Sequence, residues 1–235
     1  MILPVVVLAG GLGTRLLPIT EKIPKSLIQI NGTPFVMHQL NLFRLNEFNH
    51  VHFCLGHLGE KVQNVIEDSI FSTTMKITYS FDGERLLGTG GSLIKALPDL
   101  PEAFFVTYGD SFLDIDYKSI ESRFLEYDNE NYGLMTVYKN LNKYDTSNVI
   151  FENNKIVLYS KKHQQRNMRY IDYGLTILRK THFNKLSDHS LFDLSILYEK
   201  LSKKGVLMGY ESLERFYEIG SIQGIEDLSK YLLTK

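Results

Sequence analysis

The chain opens with a short run of aliphatic residues, Val5-Val6-Val7-Leu8-Ala9, which stops at a pair of glycines. A run without polar alternation is typical of a strand that is buried on both faces of a parallel sheet. Apolar residues then recur at helical spacing over residues 35–48, and we expect Thr33 and Pro34 to supply the N-cap and first turn of that helix. The pattern therefore begins as a strand, a glycine turn and a helix.

Strand and helix patterns continue to alternate through the first half of the chain. Predicted strands cover residues 51–55, 76–81 and 104–108, and predicted helices cover residues 60–69 and 91–97. This alternation predicts an α/β protein with a mostly parallel, Rossmann-like sheet that has helices on both faces.

The second half of the chain is richer in strands. Predicted helices cover residues 117–128, 192–203 and 222–233, and predicted strands cover residues 134–138, 173–178 and 206–210. Asn153-Asn154 separates two alternating runs, 148–151 and 155–159, as a hairpin turn does. One of Asp114 and Asp116 is expected to cap the helix that begins near Tyr117. Because no linker-like stretch intervenes, we expect one domain over residues 1–235 with a small β-rich lobe.

Composition excludes several classes of protein. The 235 residues include 43% hydrophobic residues, and 26 basic side chains oppose 27 acidic ones. That balance offers no general attraction for nucleic acid or an anionic membrane. No apolar run approaches the ~20 residues that cross a bilayer, and a single cysteine, Cys54, fits a reducing compartment. We therefore expect a cytoplasmic protein without nucleic-acid or membrane partners, in which Cys54 is a buried apolar residue.

Candidate chemistry begins directly after the first strand, in Leu8-Ala9-Gly10-Gly11-Leu12-Gly13-Thr14-Arg15. Closely spaced glycines let the backbone turn tightly and direct successive N–H groups at an anion. Arg15 and Lys25 add positive charge, the first as a planar fork and the second as a compact ammonium. The order of residues in this segment matches neither the dinucleotide-binding fingerprint nor a Walker A loop. The segment predicts a phosphate-binding loop of another kind.

Gly10-Gly11-Leu12-Gly13-Thr14-Arg15, followed by Pro24-Lys25, resembles the signature of the sugar-1-phosphate nucleotidyltransferases. Later segments resemble further motifs of that family in the expected order. These are Leu87-Gly88-Thr89-Gly90-Gly91 (second nucleotide loop), Gly109-Asp110 (metal-binding aspartate), Ile171-Asp172-Tyr173-Gly174-Leu175 (sugar-contacting strand) and Tyr217-Glu218-Ile219-Gly220 (C-terminal metal motif). Among the members of that family, these motifs most resemble those of the mannose- and heptose-1-phosphate guanylyltransferases.

The resemblance implies a magnesium-dependent transfer of a nucleotidyl group from a nucleoside triphosphate to a sugar 1-phosphate, with pyrophosphate released, for surface polysaccharide synthesis. A phosphate monoester is already anionic near neutral pH, so the acceptor needs no general base. Bringing two polyanions together instead requires cations and hydrogen-bond donors. Residues 1–115 would form mainly the nucleotide-binding half and residues 116–235 mainly the sugar-binding half. A homo-oligomer is compatible with the sequence, which leaves the oligomeric state open.

The resemblance also implies a role for each matching residue. Arg15 and Lys25 are the expected catalytic cations, and Asp110 and Glu218 are the expected magnesium ligands. Glu218 is a departure, because the family more often has Asp at that point. The predicted nucleotide-binding residues are Leu8, Ala9, Gly10, Gly11, Gly13, Thr14, Arg15, Lys25, Glu84, Gly88, Thr89 and Asp110.

On the acceptor side, Lys161, Asp172 and Gly174 are expected to bind the sugar phosphate. Lys161 lies where the family commonly has a Glu-Lys pair, but Ser160 replaces the Glu. Asp172 stands where Asn is common, and its carboxylate would accept hydrogen bonds from sugar hydroxyls.

Two acidic residues between Tyr79 and Gly88, Asp82 and Glu84, bear on the choice of base. One carboxylate can accept from both N1–H and N2–H of guanine, whereas the carbonyls of uracil and thymine would repel it. GTP is therefore the favoured donor. A cytidylyl- or uridylyltransferase acting on another phosphorylated small molecule remains an alternative, as does a non-catalytic nucleotide-sugar sensor.

Overall fold

A computed structural model describes residues 2–127, 129–184 and 191–235. The first half contains β1 (Val5–Ala9), β2 (Gln29–Ile30), β3 (Thr33–Pro34), α1 (Phe35–Leu45), β4 (His50–Leu55), α2 (Gly59–Glu67), α3 (Phe71–Thr74), β5 (Lys76–Phe81), α4 (Gly88–Ala96) and β6 (Ala103–Tyr108). The second half contains β7 (Ser111–Phe112), α5 (Tyr117–Leu125), β8 (Gly133–Lys139), β9 (Val149–Glu152), β10 (Lys155–Tyr159), β11 (Tyr170–Arg179), α6 (Leu194–Lys203), β12 (Leu207–Ser212), β13 (Tyr217–Glu218) and α7 (Ile222–Leu232).

Nine strands form one sheet in the order β5-β4-β1-β6-β11-β8-β12-β10-β9. Parallel ladders join β5 to β4, β4 to β1, β1 to β6, and β12 to β8. Strand β11 is antiparallel to both of its neighbours, β6 and β8. The predicted α/β class, with a central sheet flanked by helices, is confirmed. The sheet is mixed rather than mostly parallel, because within the described ranges four of the eight ladders between neighbouring strands are antiparallel.

The sheet is covered on both faces. Val5 and Val7 of β1 face one core cluster with residues of α1, α2 and α5, while Val6 and Leu8 face a second with residues of α4 and α6. This two-sided burial is the reason that β1 has no polar alternation. A third cluster packs Leu16 and Phe35 against Leu228 of α7. It fixes the segment after the glycine loop against the last helix.

The β-rich lobe folds back on itself. Strand β10 pairs with β9 in an antiparallel hairpin, and the first residue of β11, Tyr170, pairs with Val149 of β9. The two turn residues, Asn153 and Asn154, have φ angles of 50° and 59°, which suit a tight hairpin turn. The hairpin predicted from the sequence is therefore confirmed.

Several local predictions need correction. Thr33 does not cap α1, because it pairs with Ile30 in the β2–β3 hairpin and Pro34 is the N-cap residue without a side-chain cap. The helix predicted over residues 91–97 begins earlier, at Gly88. Asp116 rather than Asp114 caps α5, accepting from the Ser119 N–H at 3.0 Å. The predicted end of that helix at Asp128 lies outside the described residues.

None of the helices within the described ranges combines the length and the apolar character that crossing a membrane requires.

A fully buried histidine lies between β4 and β5. The His52 side chain has no exposed surface, and its Nδ1 and Nε2 lie 2.9 Å and 3.0 Å from the hydroxyls of Thr78 and Ser80. Burial lowers the pKa of His52 to about 4, because the imidazolium cannot be solvated there. The folded protein therefore holds His52 neutral.

We expect this histidine to make stability depend on pH. The unfolded chain binds a proton near pH 6.5 and the folded chain does so only near pH 4, so the contribution is full above pH 6.5 and is lost as the pH falls towards 4. The loss is about 1.4 kcal/mol per pH unit. In urea unfolding at pH 7.5, 6.0 and 5.0, the free energy of unfolding should fall less with decreasing pH in His52→Gln than in the wild type. His50→Gln is the comparison, since half-buried His50 bonds the same Thr78 hydroxyl and burial lowers its pKa as well. We expect the smaller effect there, and an equal change in both variants would contradict the prediction.

Candidate active site

A cavity of about 220 Å³ lies where β1, β4, β5 and β6 end at the same edge of the sheet. Ligands of open α/β sheets bind at the carboxyl ends of the strands, which makes this cavity the candidate nucleotide site. Nine of the predicted nucleotide-binding residues line it: Leu8, Ala9, Gly10, Gly11, Gly13, Lys25, Gly88, Thr89 and Asp110. Thr14, Arg15 and Glu84 are exposed and lie outside the lining.

Glycine is required where two loops of this cavity cross. A Cβ built on Gly56 would lie 2.6 Å from the carbonyl oxygen of Gly10, and one built on Gly109 would lie 2.6 Å from Cβ of Ala9. Gly13 has a φ of +65°, a backbone conformation that residues other than glycine rarely adopt. The backbone at the end of β1 is therefore held in place by close contacts with the loops after β4 and β6.

An ion pair joins the two predicted charged groups of the cavity. The ammonium of Lys25 lies 2.8 Å from Oδ2 of Asp110, and both side chains are mostly buried. The neighbouring residues are tied together as well, because the Ser26 hydroxyl donates to the Gly109 carbonyl at 3.1 Å. Residues 85 positions apart are thus fixed side by side.

The structure also brings Asp110 close to Glu218. Strands β7 and β13 pair with Ser111 opposite Glu218, and the N–H of Ile219 donates to the Asp110 carbonyl at 2.9 Å. Burial and then the charge of Asp110 raise the pKa of Glu218, against the effect of Arg15. Arg15 lies 4.0 Å from Glu218, so it faces this carboxylate.

These carboxylates suit a magnesium ion that is shared with a substrate. The described ranges contain no group of three or more His, Cys, Asp or Glu side chains placed to hold a metal. Magnesium is commonly held by one or two carboxylates together with substrate phosphates. Asp110 and Glu218 fit that arrangement.

Asp82 has a different role from the one the sequence indicated. Its carboxylate is buried, Oδ1 accepts from the Ser92 hydroxyl at 2.6 Å, and Oδ2 accepts from the Leu87 N–H at 3.1 Å. The structure therefore does not support Asp82 as a reader of the base, since both oxygens already hold the loop between β5 and α4. The sequence does not reveal these partners, because nothing in an irregular loop between two motifs shows whether a carboxylate is available to a ligand.

Other lining residues were missed by the sequence analysis: Ser26, Cys54, Leu86, Ser92, Tyr108 and Gly109. Ser26 and Gly109 adjoin predicted residues and follow from those motifs. Cys54 and Tyr108 end buried strands, where the sequence pattern marks only core positions. Burial raises the pKa of Cys54 to about 12, so the thiol stays protonated, as expected of a buried apolar residue.

The predicted acceptor residues lie where the start of β11 meets the end of β10. The side-chain Oδ1 of Asn148 accepts from the Asp172 N–H at 3.0 Å, and the main-chain carbonyl of Asn148 accepts from the Ser160 N–H at 3.0 Å. Lys161 lies next to this junction. Gly174 has a φ of +90°, and a Cβ built on it would lie 3.3 Å from the Ser111 hydroxyl. Since Ser111 follows Asp110, Gly174 lies on the Asp110 side of the cavity. Burial raises the pKa of Asp172.

A family model described as nucleotidyl transferase matches residues 4–206. The chain belongs to the nucleotidyl transferase family. The assignment made from the sequence motifs is thereby confirmed, and the protein is an enzyme of nucleotidyl transfer.

Two relatives and one solved structure describe its neighbours in this family. It is 26% identical over 200 residues to a D-glycero-α-D-manno-heptose 1-phosphate guanylyltransferase of Campylobacter jejuni, covering 85% of this chain and 86% of that protein. It is 28% identical over 224 residues to the bifunctional protein GlmU of Methanococcus maripaludis, covering 94% of this chain but only 48% of that protein. HddC from Yersinia pseudotuberculosis, complexed with GMP-PN, has the same fold, with a TM-score of 0.80 at 22% identity over 98% of this chain and 100% of that one.

We predict that the crossing of the two loops is needed for nucleotide binding. Gly56→Ala should displace Gly10 from the cavity wall and raise the dissociation constant for a nucleoside triphosphate about 10-fold or more, since a 1.4 kcal/mol cost is tenfold. Equilibrium dialysis with labelled nucleotide would measure it. Gly11→Ala is the steric control, because no atom lies within 4 Å of its added Cβ; we expect its thermal midpoint to match the wild type. Unweakened binding in a folded Gly56→Ala variant would contradict the prediction.

Proposed function

We propose that this nucleotidyltransferase transfers a guanylyl group from GTP to a sugar 1-phosphate and releases pyrophosphate. The observation that carries the proposal is the cavity in which the glycine loop, Lys25 and Asp110 meet at the carboxyl ends of parallel strands. Membership of the family supplies the reaction type. The similarity to a heptose-1-phosphate guanylyltransferase supports both the base and the class of acceptor. The product would be a nucleotide sugar for polysaccharide synthesis in the cytoplasm.

The chain supplies charge and position for this reaction. A phosphate oxygen of the acceptor attacks the α-phosphorus, the bond between the α-phosphorus and the bridging oxygen to the β-phosphate breaks, and pyrophosphate leaves. Main-chain N–H groups of the glycine loop would bind the triphosphate. Lys25 would stabilise the charge that gathers on the transferred group, and Lys161 would hold the acceptor phosphate. Because the acceptor oxygen is already an anion, none of these residues has to remove a proton.

Asp110 and Glu218 would hold a magnesium ion. When bound, the ion would neutralise charge on the reacting phosphates and orient them. Lys25 pairs with Asp110 at 2.8 Å, and its ammonium has further N–H donors that would bind a substrate phosphate.

Two alternatives are distinguishable. A cytidylyl- or uridylyltransferase acting on another phosphorylated molecule would use the same cavity with a different base. The other, a non-catalytic sensor, is excluded because the chain belongs to a family of transferases. The geometry favours an enzyme, because Lys25 and Asp110 remain together in the cavity wall and Glu218 adjoins them.

The substrate pair is tested by a grid of four nucleoside triphosphates against hexose and heptose 1-phosphates, scored by pyrophosphate release. We expect the highest kcat/KM with GTP, and at least a 100-fold loss in Lys25→Met, consistent with the removal of a group that stabilises transition-state charge. Exposed Lys22→Met is the control for the loss of one nearby charge. A preference for UTP or CTP would replace the guanylyl assignment. An unchanged GTP preference in Glu84→Gln would remove the carboxylate argument for guanine.

The metal assignment predicts that Asp110→Asn weakens metal binding. In the presence of a non-hydrolysable GTP analogue, Mn²⁺ affinity measured by paramagnetic resonance should fall at least 10-fold, because one of two protein carboxylates is lost. Glu218→Gln should weaken it as well, and Glu218→Asp should retain most of it. Asp114→Asn is the control, since the Asp114 carboxylate already binds Tyr231 and Lys235. Wild-type affinity in Asp110→Asn would contradict the assignment.

A further inference from the structure

Two glycines of the second nucleotide loop are required by a contact within the chain. A Cβ on Gly90 would lie 2.3 Å from the ring of Phe192, and a Cβ on Gly88 would lie 2.7 Å from the Phe192 carbonyl oxygen. Gly88 also has a φ of +71°. The glycines at these positions therefore admit residue Phe192, which precedes α6, against the start of α4.

Three hydrogen bonds fasten residues 192–194, here named the clasp, to this loop. The Phe192 N–H donates to the Leu87 carbonyl at 3.2 Å, and the Gly90 N–H donates to the Phe192 carbonyl at 3.0 Å. The third bond uses a side chain, because the Leu194 N–H donates to the Thr89 hydroxyl at 2.8 Å. Gly88 and Thr89 line the nucleotide cavity, so the clasp lies directly behind its wall.

The middle residue of the clasp reaches the acceptor side. Oδ1 of Asp193 lies 3.7 Å from the Lys161 ammonium and also accepts from the Ser195 N–H at 2.8 Å, which caps α6. Although partial burial opposes it, the hydrogen bonds of Ser195 and the charge of Lys161 lower the pKa of Asp193. The carboxylate is therefore ionised where Lys161 needs a partner.

We propose that the clasp couples the two substrate sites, with Asp193 as a positioning residue for Lys161 and Thr89 as the residue through which the nucleotide loop holds the clasp in place. The proposal rests on the proposed function, because it assigns Lys161 to the acceptor phosphate. Nucleotide binding against Gly88 and Thr89 would order the clasp, and the ordered Asp193 would direct the long, exposed side chain of Lys161 towards the acceptor.

The ion pair itself is too exposed to serve mainly for stability. Both side chains are about half exposed, at 47% and 53%, and pairs of this kind contribute little to folding. Its effect is expected in the orientation of Lys161, since a lysine side chain has many rotamers and ordering them in advance lowers the cost of binding. A kinetic measurement on the acceptor is therefore the informative one.

Asp193→Asn separates this role from helix capping, because Asn caps a helix as well as Asp does but carries no charge. We expect the acceptor KM to rise about 2- to 5-fold, in line with an exposed pair, with kcat and the GTP KM unchanged. Asp116→Asn is the matched control, since Asp116 caps α5 in the same way and touches neither substrate site. An unchanged acceptor KM in Asp193→Asn, or an equal rise in Asp116→Asn, would overturn the proposal.

Thr89→Val tests the coupling from the nucleotide side. It should raise the KM of the distant acceptor by no more than the about 2- to 5-fold expected for Asp193→Asn, since it acts through the same linkage, and Thr89→Ser should restore the KM, because serine keeps the hydroxyl that accepts from Leu194. In the double variant with Asp193→Asn, the acceptor KM should be no higher than in the worse single variant, as expected for residues that act through one linkage. Independent, multiplicative effects would overturn the proposal.

A readout without turnover separates this proposal from the proposed function. A non-hydrolysable GTP analogue should slow amide hydrogen exchange over residues 191–203 in the wild type and not in Thr89→Val. Absence of protection in a wild type that binds the analogue would overturn the clasp. Protection in a protein that releases no pyrophosphate from any substrate pair would overturn the proposed function and leave the linkage between nucleotide and clasp supported.

Discussion

The ion pair between Lys25 and Asp110 is the interaction around which the candidate site is built. It joins the loop that follows β1 to the loop that follows β6, and these two strands are adjacent in the sheet. The reaction that we propose, between two polyanionic substrates, would need a cation and a carboxylate able to hold a metal within reach of the same phosphates. The sheet meets this need because parallel neighbours end at one edge. The glycine contacts of Gly56 and Gly109 then bring the backbone close enough for both charges to face one cavity.

The remaining groups extend outward from this pair. Strand β13 carries Glu218 alongside Asp110, and Arg15 faces Glu218 from the glycine loop. On the other side, Asp82 secures the loop that leads to α4, and α4 receives Phe192 from the second half of the chain. The second half therefore packs Phe192 behind α4, a helix whose first turn lines the cavity, and places Glu218 beside Asp110. The predicted acceptor residues are attached to this arrangement as well, since Asp172 bonds Asn148 and Lys161 pairs with Asp193.

The sequence was sufficient where the signal is local. The unbroken apolar run of β1, the Asn153-Asn154 hairpin and the carboxylate cap of α5 each depend on residues next to one another, and each lies where it was expected apart from the choice between Asp114 and Asp116. The predicted site residues were found through motifs at strand ends. The pairing of β7 with β13 escaped prediction because two-residue strands have no periodicity to detect. The partners of Asp82, Leu87 and Ser92, lie only 5 and 10 residues further along, but an irregular loop has no periodicity that reveals them. The burial of Cys54 was expected, whereas its place in the cavity wall was not.

Strand β11 has a mechanical consequence for the whole molecule. It is hydrogen-bonded to β6 of the first half along one side and to β8 of the second half along the other. A hinge between the halves would have to break the β6–β11 ladder and leave its backbone hydrogen-bonding groups unpaired. The central sheet therefore resists bending between the two halves. We expect loop backbones and long side chains at the edge of the sheet to reorient around the substrates while the strands stay in place.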